Sequence, residues 1–225
     1  MKMMILFDVD GTLIGGEKTD WKCFDDAFRE AAGFPLSSRF FHSLKEVTAK
    51  AIVHQALEGA TYSEKSDIEA KTRQGYLDRL GKAIQNNPNS FPAMEGAALL
   101  IQDIQKRGFP IAIATGDWQE SILVKLNASG IPVDKIPMTT SSDYYSRAEI
   151  ISSSVEKAGG NLLGSIYVGD GHWDFRAAQQ LGIAFIGCGT KVDRLREEGA
   201  QYVLDRLNVD EFWNAIEDIK QSSKW

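Results

Sequence analysis

The chain has 225 residues and a formal net charge of −6, with 43% hydrophobic and 25% charged residues. This composition is that of an ordinary globular protein, long enough for one large domain or a domain plus a smaller one. The negative charge argues against a general nucleic-acid binder, which needs a basic face. A small anionic substrate is still compatible, because a bound divalent cation can dominate the charge of a site.

The sequence also predicts a cytoplasmic protein that is not tied to a membrane. No apolar run is long enough to cross a bilayer, and the N-terminal Met-Lys-Met-Met leads straight into a predicted strand without a signal peptide. Cys23 and Cys188 lie far apart, which indicates buried reduced thiols rather than a metal site or redox pair. Nothing in the sequence indicates an oligomeric state.

The first predicted element is a buried strand at residues 5–7 that leads into two acids, Asp8 and Asp10. If the strand continued through Val9, the alternation of side chains would put both carboxylates on the same side. Ligands bind at the carboxyl ends of strands in open α/β sheets, so this pair suggests a magnesium and phosphoryl-transfer site. An ordinary Asp-Gly turn is the alternative.

The segment from Lys18 to about Asn89 has helical periodicity and no convincing strand. Asp20 could cap its first helix, and a turn-rich linker at residues 86–92 ends it. The middle stripe predicts a second helix or a pair of helices. The apolar stripes are formed by Trp21, Phe24 and Phe28, by Leu44, Val47, Val53, Ala56 and Leu57, and by Tyr76, Leu80 and Ile84.

Strands and helices alternate after this segment, which predicts a doubly wound, Rossmann-like α/β core with a parallel sheet and helices on both faces. The core would comprise residues 1–14 and 91–225, and residues 15–90 would form a helical insert after the first strand. The predicted strands of the second part cover residues 110–114, 136–140, 166–168, 184–187 and 202–204.

Helical stripes lie between these strands. One helix is striped by Ile122, Leu123 and Leu126, with Asp117 as a candidate cap, and another runs from about Arg147 to Ala158. The remaining stripes are Ala97, Leu100, Ile101 and Ile104, ended by Gly108, then Ala178 and Leu181, and finally Phe212, Ile216 and Ile219.

Polar residues follow two further strands of the predicted core. Thr115 and Gly116 follow the strand at 110–114, and Asp170 and Asp174 follow the strand at 166–168. The carboxyl ends of parallel strands open on the same edge, so these residues and the first acid pair are expected to meet there. Their joint occurrence in this order is far more specific than any single motif.

The run Asp8-Val9-Asp10-Gly11-Thr12-Leu13 resembles the first motif of the haloacid dehalogenase superfamily of phosphohydrolases, and the later motifs follow in the family's order. The resemblance covers the whole core. The position of the insert resembles the helical C1 cap of subfamily I. The resemblance implies a magnesium-dependent phosphatase that acts through an aspartyl-phosphate intermediate.

The resemblance also implies a role for each acid. Asp8 would be the nucleophile, and Asp10 would be the general acid and then the base. Mg²⁺ would bind Asp8, Asp170 and the backbone carbonyl of Asp10, with Asp174 contacting the metal directly or through water. Because dehalogenases and ion pumps of the family lack the second acid, Asp10 favours phosphoester hydrolysis.

Phosphate contacts are implied in the same way. Thr115 would donate its hydroxyl to a phosphate oxygen, with the N–H of Gly116 beside it. The family's usual lysine is missing from residues 141–154, where Arg147 is the only basic residue. We therefore expect Arg147 to neutralise the phosphoryl group, with Lys157 as the alternative.

For the insert, the aromatic stripe is expected to form its core rather than a ligand site. Most of its charges are expected to face water. Candidate contacts to the leaving group are Lys18, Arg39, Lys45, Lys50 and His54.

The expected function is hydrolysis of a small phosphorylated metabolite. A phosphomutase of the same family remains an alternative, because both enzymes keep two acids in the first motif. A catalytically silent member that binds a metabolite or a protein is a second alternative. A receiver-type phospho-signalling domain fits less well, since neither the insert nor Asp10 belongs to it. The sequence leaves the identity of the substrate open.

Overall fold

A computed structural model of the chain describes residues 3–133, 135–189 and 192–222, with only the backbone of Ser38, Arg39 and His42. Its strands are β1 (Met4–Phe7), β2 (Ile111–Ala114), β3 (Met138–Thr139), β4 (Ser165–Gly169), β5 (Ala184–Cys188) and β6 (Tyr202–Leu204). In the described ranges they form one sheet of six strands in the order β3-β2-β1-β4-β5-β6, with every pairing parallel. The predicted doubly wound, Rossmann-like fold is therefore confirmed.

The helices follow the predicted alternation. The short α2 and α9 were not expected, because six residues are too few to show a helical period. Leu44 and Val47 of the predicted middle stripe lie outside α2 and α3, so the stripe is wrong for these two residues. The helices are α1 (Glu17–Ala32), α2 (Ser38–Ser43), α3 (Ala49–Ala56), α4 (Tyr62–Asn86), α5 (Ala97–Lys106), α6 (Gln119–Ser129), α7 (Arg147–Lys157), α8 (His172–Leu181), α9 (Val192–Glu197) and α10 (Val209–Ser222).

The central strand β1 is buried on both faces, which explains its continuous apolar run. Ile5 and Phe7 face a cluster that includes side chains of α5, α6 and α10. Met4 and Leu6 face the opposite cluster, which includes side chains of α7 and α8. The alternation along one strand thus builds a hydrophobic layer on each side of the sheet.

The helical insert, α1 to α4, lies between β1 and α5 and has its own apolar cluster, to which Trp118 of the core contributes. The chain leaves and returns at neighbouring points, because the N–H of Gly15 donates to the carbonyl of Pro92 at 2.8 Å and that of Met94 to Leu13 at 2.8 Å. The treatment of residues 15–90 as a separate domain stays a prediction.

Two details of the predicted helices are wrong. The N-cap of α1 is Gly16, in the left-handed region at φ 101°, so Asp20 lies inside the first turn and does not cap the helix. The N-cap of α6 is Trp118, although the carboxylate of Asp117 accepts hydrogen bonds from the Trp118 N–H at 2.6 Å and the Ser121 hydroxyl at 2.7 Å. Asp117 therefore braces the start of α6 from one residue earlier.

The buried face of α6 also differs from the expected one. Leu123 is 48% exposed, whereas Lys125 is completely buried next to Ile122 and Leu126 on the inner face. Apolar character alone would place these two residues the other way round. The carboxylates that surround Lys125, described below, are what hold a charged residue inside.

Candidate active site

The acids after β1 lie in a tight loop rather than in a longer strand. β1 ends at Phe7, and the carbonyl of Val9 accepts hydrogen bonds from the N–H groups of Leu13 at 2.8 Å and Ile14 at 3.1 Å. The strand therefore does not continue through Val9. In consequence the two carboxylates form ion pairs with different cations. Asp8 pairs with Arg147 of α7, and Asp10 pairs with Lys125 of α6.

Three acids that are distant in sequence converge at the carboxyl edge of the sheet. Asp8 follows β1, Asp170 follows β4, and Asp174 lies in the first turn of α8. All three are buried, and one carboxylate oxygen of each lies within 4.8 Å of the others. This is the arrangement that the strand-end argument predicts.

The conformation of Gly11 makes room for this cluster. Its φ is 79°, a left-handed conformation that costs little only in glycine. A Cβ at this position would lie 2.2 Å from Oδ2 of Asp170. The Asp-x-Asp-Gly run thus brings its own backbone against an acid from β4, some 160 residues later in the sequence.

Asp174 is held by neutral donors as well as by charge. The N–H of Gly171 donates to its Oδ2 at 3.0 Å and the hydroxyl of Tyr167 to its Oδ1 at 3.1 Å. Burial raises the pKa of Asp174 to about 7, against the opposing effect of Arg147. Burial also raises the pKa of Asp8, again opposed by Arg147. Arg147 therefore lowers the pKa of both acids without offsetting the effect of burial.

Arg147 is the cation beside this cluster. It opens α7 behind a capping box in which Ser146 and Glu149 bond each other's backbone. Its Nη1 donates to Oδ1 of Asp8 at 2.9 Å and lies 3.4 Å from Oδ1 of Asp174. The side chain is 7% exposed.

One donor of Arg147 remains unused. Its Nη2 donates to the carbonyl of Val47 in the insert at 3.1 Å, whereas its buried Nε has no hydrogen-bond partner among the described residues. The alternative cation, Lys157, lies 3.5 Å from Asp143 and is outside the residues that line the cavity. The structure thus brings Arg147, and not Lys157, to Asp8.

Thr115 and Gly116 lie just beyond β2 and line the same cavity. Thr115 is buried, and its N–H continues the sheet by donating to Thr139 at 3.1 Å. A Cβ on Gly116 would lie 2.6 Å from Nη2 of Arg147, so a larger residue would displace the guanidinium. Apart from the Asp10 side chain, the predicted site residues therefore lie together around Asp8. Their roles stay predictions.

A second buried cation, Lys125 of α6, is absent from the sequence prediction. Its ammonium bonds Asp10 at 2.7 and 2.8 Å to the two carboxylate oxygens, Asp20 at 2.8 Å and Asp117 at 2.9 Å. The hydroxyl of Tyr76 lies 3.3 Å away. Two of these partners, Asp20 and Tyr76, belong to the insert. Lys125 therefore joins the insert to the core at the second acid of the first motif.

Burial and the neighbouring charges act in opposite directions on the pKa values of this second centre. Burial raises the pKa of Asp10 well above its usual value, with Lys125 opposing. Burial by itself would lower the pKa of Lys125, but the surrounding carboxylates outweigh it and hold that pKa well above its ordinary value. One sequence signal could have revealed the residue: a lysine in register with the apolar face of a helix needs a partner inside.

The two centres border one cavity of about 770 Å³ between insert and core. Of the candidate leaving-group contacts, Lys18, Lys45, Lys50 and His54 are not among the described lining residues, and Arg39 lies outside the described side chains. Instead Trp21 and Phe24 line the cavity. Trp21 is 37% exposed, so the expectation that it forms the insert core is wrong, whereas Phe24 is buried in the apolar cluster of the insert as expected. Phe28 is fully buried, as expected.

The family can now be identified by comparison. A family model described as haloacid dehalogenase-like hydrolase matches residues 5–188. The chain belongs to the haloacid dehalogenase-like hydrolase family. This confirms the resemblance stated from the motifs and identifies the protein as a member of a hydrolase family. No curated protein sequence matches the chain significantly.

Solved structures share the fold at low sequence identity. β-Phosphoglucomutase from Clostridium difficile is 19% identical, with a TM-score of 0.77 over 98% of each chain. CbbY from Rhodobacter sphaeroides, solved with phosphate, is 19% identical with a TM-score of 0.72 over 92% of this chain and 95% of that one. A predicted phosphoglycolate phosphatase from Haemophilus somnus is 17% identical with a TM-score of 0.69 over 95% of this chain and 98% of that one.

None of the helices within residues 3–133, 135–189 and 192–222 combines the length and the apolar character needed to cross a membrane.

Proposed function

We propose that the protein is a magnesium-dependent phosphatase of the cytoplasm that hydrolyses a small phosphomonoester through an aspartyl phosphate on Asp8. The observation that carries the proposal is the convergence of Asp8, Asp170 and Asp174 with a guanidinium that donates to Asp8. Residues 15–90 would act as the cap over a core of residues 1–14 and 91–225. Nucleic acids and membranes are not expected partners.

The donor set fits Mg²⁺. Carboxylate oxygens are the ligands that hard cations prefer, and three buried carboxylates exceed the single positive charge of Arg147 beside them. Asp8, Asp170 and Asp174, with the backbone carbonyl of Asp10, would hold the ion. When bound, Mg²⁺ would supply positive charge to the phosphoryl oxygens.

The nucleophile and its phosphate contacts can be assigned to residues that line the cavity. The carboxylate of Asp8 would attack phosphorus and form the acyl phosphate. Arg147 would donate to a phosphoryl oxygen with its unpartnered Nε, and the Thr115 hydroxyl and the Gly116 N–H would donate to another. A phosphate at this position would give the guanidinium the acceptor that the protein itself does not supply.

Asp10 would act as the general acid and then as the general base. It would protonate the leaving alkoxide in the first step and accept a proton from the attacking water in the second. Such positioned proton transfer contributes about 10²–10⁴-fold in rate. The insert covers the acids, so it would exclude bulk water during both steps.

The alternatives differ in what they require of the cavity. A phosphomutase must retain a sugar while it turns over, and the described cap wall offers mostly apolar side chains for its hydroxyls. A silent binding member needs no nucleophile, whereas here Asp8 is buried with its cation in contact. Both observations favour the phosphatase.

Release of inorganic phosphate from a panel of phosphomonoesters, with Mg²⁺ and with EDTA, tests the proposal. We expect release with Mg²⁺ and none with EDTA, together with a phosphoenzyme that survives rapid acid quenching and is cleaved by alkali or hydroxylamine, as an acyl phosphate is. Transfer between sugar positions with little free phosphate would instead establish a mutase. Absence of turnover with every ester would establish a binding protein.

A further inference from the structure

The cap side of the cavity has an apolar wall formed by Trp21, Phe24, Phe41 and Leu44. The ring of Trp21 meets that of Phe41 edge-on at 4.5 Å and stacks on that of Phe24 at 5.7 Å. Although it lies between two rings, Trp21 keeps 37% of its surface exposed. A large aromatic surface left open inside a cleft, next to convergent polar groups, is typical of a ligand site.

The described basic residues that line the cavity belong to the core and not to the insert. The described acidic residues of the insert that line it are Glu17 and Asp20, and no described lining residue of the insert is basic. Arg176 and Arg194 line the core side, but both are more than half exposed and lie within 3.8 and 3.1 Å of Glu198. The buried cation that faces the cavity, Arg147, is already at the proposed phosphoryl site.

We propose that the leaving group of the substrate is an apolar alcohol, aromatic or branched. It would lie against the wall of Trp21, Phe24, Phe41 and Leu44 while its phosphoryl group lies at Asp8. A volume of about 770 Å³ accommodates a group of this size. The inference rests on the proposed phosphatase function and names its substrate class.

Esters with the same kind of primary alkoxide leaving group give the sharpest test, because their intrinsic reactivity is similar. We expect kcat/KM for phenylpropyl phosphate to exceed that for glucose-6-phosphate by about tenfold or more, since apolar burial and not hydrogen bonding would supply the binding free energy. Equal values, or a preference for glucose-6-phosphate, would overturn the inference and leave the phosphatase function standing. Hydrolysis of neither ester nor of any other would overturn both.

Variants locate the preference on the wall. Trp21→Ala and Phe41→Ala should each raise KM for phenylpropyl phosphate by about tenfold and raise KM for ethyl phosphate much less, because ethyl phosphate reaches little of the wall. Tyr62→Ala is the matched control, since Tyr62 is an exposed aromatic residue of the same insert outside the cavity. Equal losses on both esters in the two wall variants would show that the wall supports the fold without contacting the leaving group.

The contacts of Lys125 carry a second, independent inference. An ammonium has three donors, and here Asp10, Asp20 and Asp117 each lie within 2.9 Å of it. The bond to Asp10 is bidentate, at 2.7 and 2.8 Å, and the nitrogen is completely buried. Of the other two carboxylates, Asp20 comes from the insert and Asp117 from the core, so Lys125 holds Asp10 at the contact between insert and core.

The geometry points to Lys125 as a positioning residue that fixes the carboxylate of Asp10 in its place for proton transfer to the leaving group. Lys125 would not touch the substrate, because it is not among the lining residues of the cavity, whereas Asp10 and Asp20 are. This role also rests on the proposed function. It predicts a defect that depends on whether the leaving group needs a proton.

Lys125→Met should lower kcat/KM for phenylpropyl phosphate by about 10²-fold and that for p-nitrophenyl phosphate by much less, because nitrophenolate leaves without protonation. The ratio kcat/KM reports only the steps through formation of the phosphoenzyme, so the later role of Asp10 as a base does not enter it. Lys157→Met, a half-exposed lysine of α7 outside the cavity, is the control and should behave as wild type. Equal losses on the two esters would overturn the positioning role.

A milder variant keeps the test decisive if Lys125→Met fails to fold. Asp20→Asn removes one charged partner from the insert but retains the shape of the side chain. It should produce the same dependence on the leaving group at smaller amplitude. Wild-type kcat/KM for both esters in a folded Asp20→Asn protein would overturn the inference that the insert helps to fix Asp10.

Discussion

The two buried cations of the site, Arg147 and Lys125, look alike by burial and differ in what surrounds them. The guanidinium of Arg147 faces carboxylates from the core, Asp8 and Asp174, and donates to the neutral carbonyl of Val47 in the insert, while the backbone N–H of the same residue donates to Glu46 at 3.1 Å. Lys125 faces carboxylates from both parts, and its contact with the insert is a charged one, to Asp20. The described carboxylates that face the guanidinium of Arg147 therefore belong to the core, whereas one of those that face the ammonium of Lys125 belongs to the insert.

The difference extends to unused donors. The guanidinium of Arg147 keeps a buried Nε without a partner in the described part of the chain, whereas the three donors of the Lys125 ammonium are matched by three carboxylates. A cation with a donor to spare can receive an anion that arrives from solution. A cation with every donor engaged instead fixes the groups around it, so the chemistry of the two side chains suits phosphate binding and positioning respectively.

The largest effect is expected at Asp8, which is the proposed nucleophile, a proposed Mg²⁺ ligand and the hydrogen-bond partner of Arg147. Asp8→Asn should lower kcat by at least about 10⁴-fold, because an amide cannot form the acyl phosphate, while the isosteric side chain retains the fold. Steady-state phosphate release and a thermal melt measure the two effects. A rate within tenfold of wild type would mean that the nucleophile is another residue.

Removal of the two cations should separate their contributions to stability. Lys125→Met would leave three carboxylates without their cation, at a cost of about 3–5 kcal/mol in the free energy of unfolding. Arg147→Met also leaves carboxylates unpaired, but Mg²⁺ can replace its charge at Asp8 and Asp174.

Urea denaturation with and without Mg²⁺ measures this difference. We expect Mg²⁺ to restore much of the stability of Arg147→Met and little of that of Lys125→Met. Equal restoration in the two variants would contradict the separation of the metal set from the Lys125 centre, since it would require the ion to reach both.

The strand-end acids could be predicted from the sequence for a definite physical reason. Each follows a short apolar run, and a parallel sheet brings all such ends to one edge whatever the length of chain between them. Arg147 was predictable because it is the only basic residue among residues 141–154, where the family resemblance implies a cation. Local patterns, one topological rule and the family resemblance therefore suffice for the core of the site.

The buried position of Lys125 could not be predicted from the sequence in this way. Its partners Asp10 and Asp20 are 115 and 105 residues away in sequence, and no local pattern joins them. A lysine in a helix ordinarily faces water, so apolar periodicity placed Leu123 inside instead. The orientation of the Trp21 stripe was equally open, because an apolar helix face can pack against its own domain or line a cleft, and only the position of the insert decides between them.

The proposed contact of Arg147 with the phosphoryl group is tested by replacing Arg147 itself. Arg147→Met should lower kcat/KM by about 10²-fold through loss of a charged donor to the phosphoryl group, and Arg147→Lys should recover part of that loss. Lysine restores the charge but not the fork that reaches Asp8 and a phosphate together. Normal turnover in Arg147→Met would mean that another cation neutralises the phosphoryl group.

The smallest expected effect is at Tyr76, whose hydroxyl donates to Asp20 and lies 3.3 Å from the Lys125 nitrogen. Tyr76→Phe retains the ring, which packs against Phe24 at 5.5 Å, but leaves Asp20 short of one donor. We expect a loss of about 1 kcal/mol in the free energy of unfolding, the usual net value of one such bond, and a change in kcat/KM below about threefold.

The Tyr76→Phe result tests whether the ammonium of Lys125 or the hydroxyl of Tyr76 contributes more to fixing Asp10. If the ammonium of Lys125 is what fixes Asp10, removal of the Tyr76 hydroxyl should affect phenylpropyl phosphate and p-nitrophenyl phosphate equally, because Asp10 keeps its bidentate partner. A loss in Tyr76→Phe that matched Lys125→Met and fell mainly on phenylpropyl phosphate would reverse this ranking. The insert would then act on Asp10 through a neutral hydroxyl, and the contrast between a core cation and a bridging cation would no longer hold.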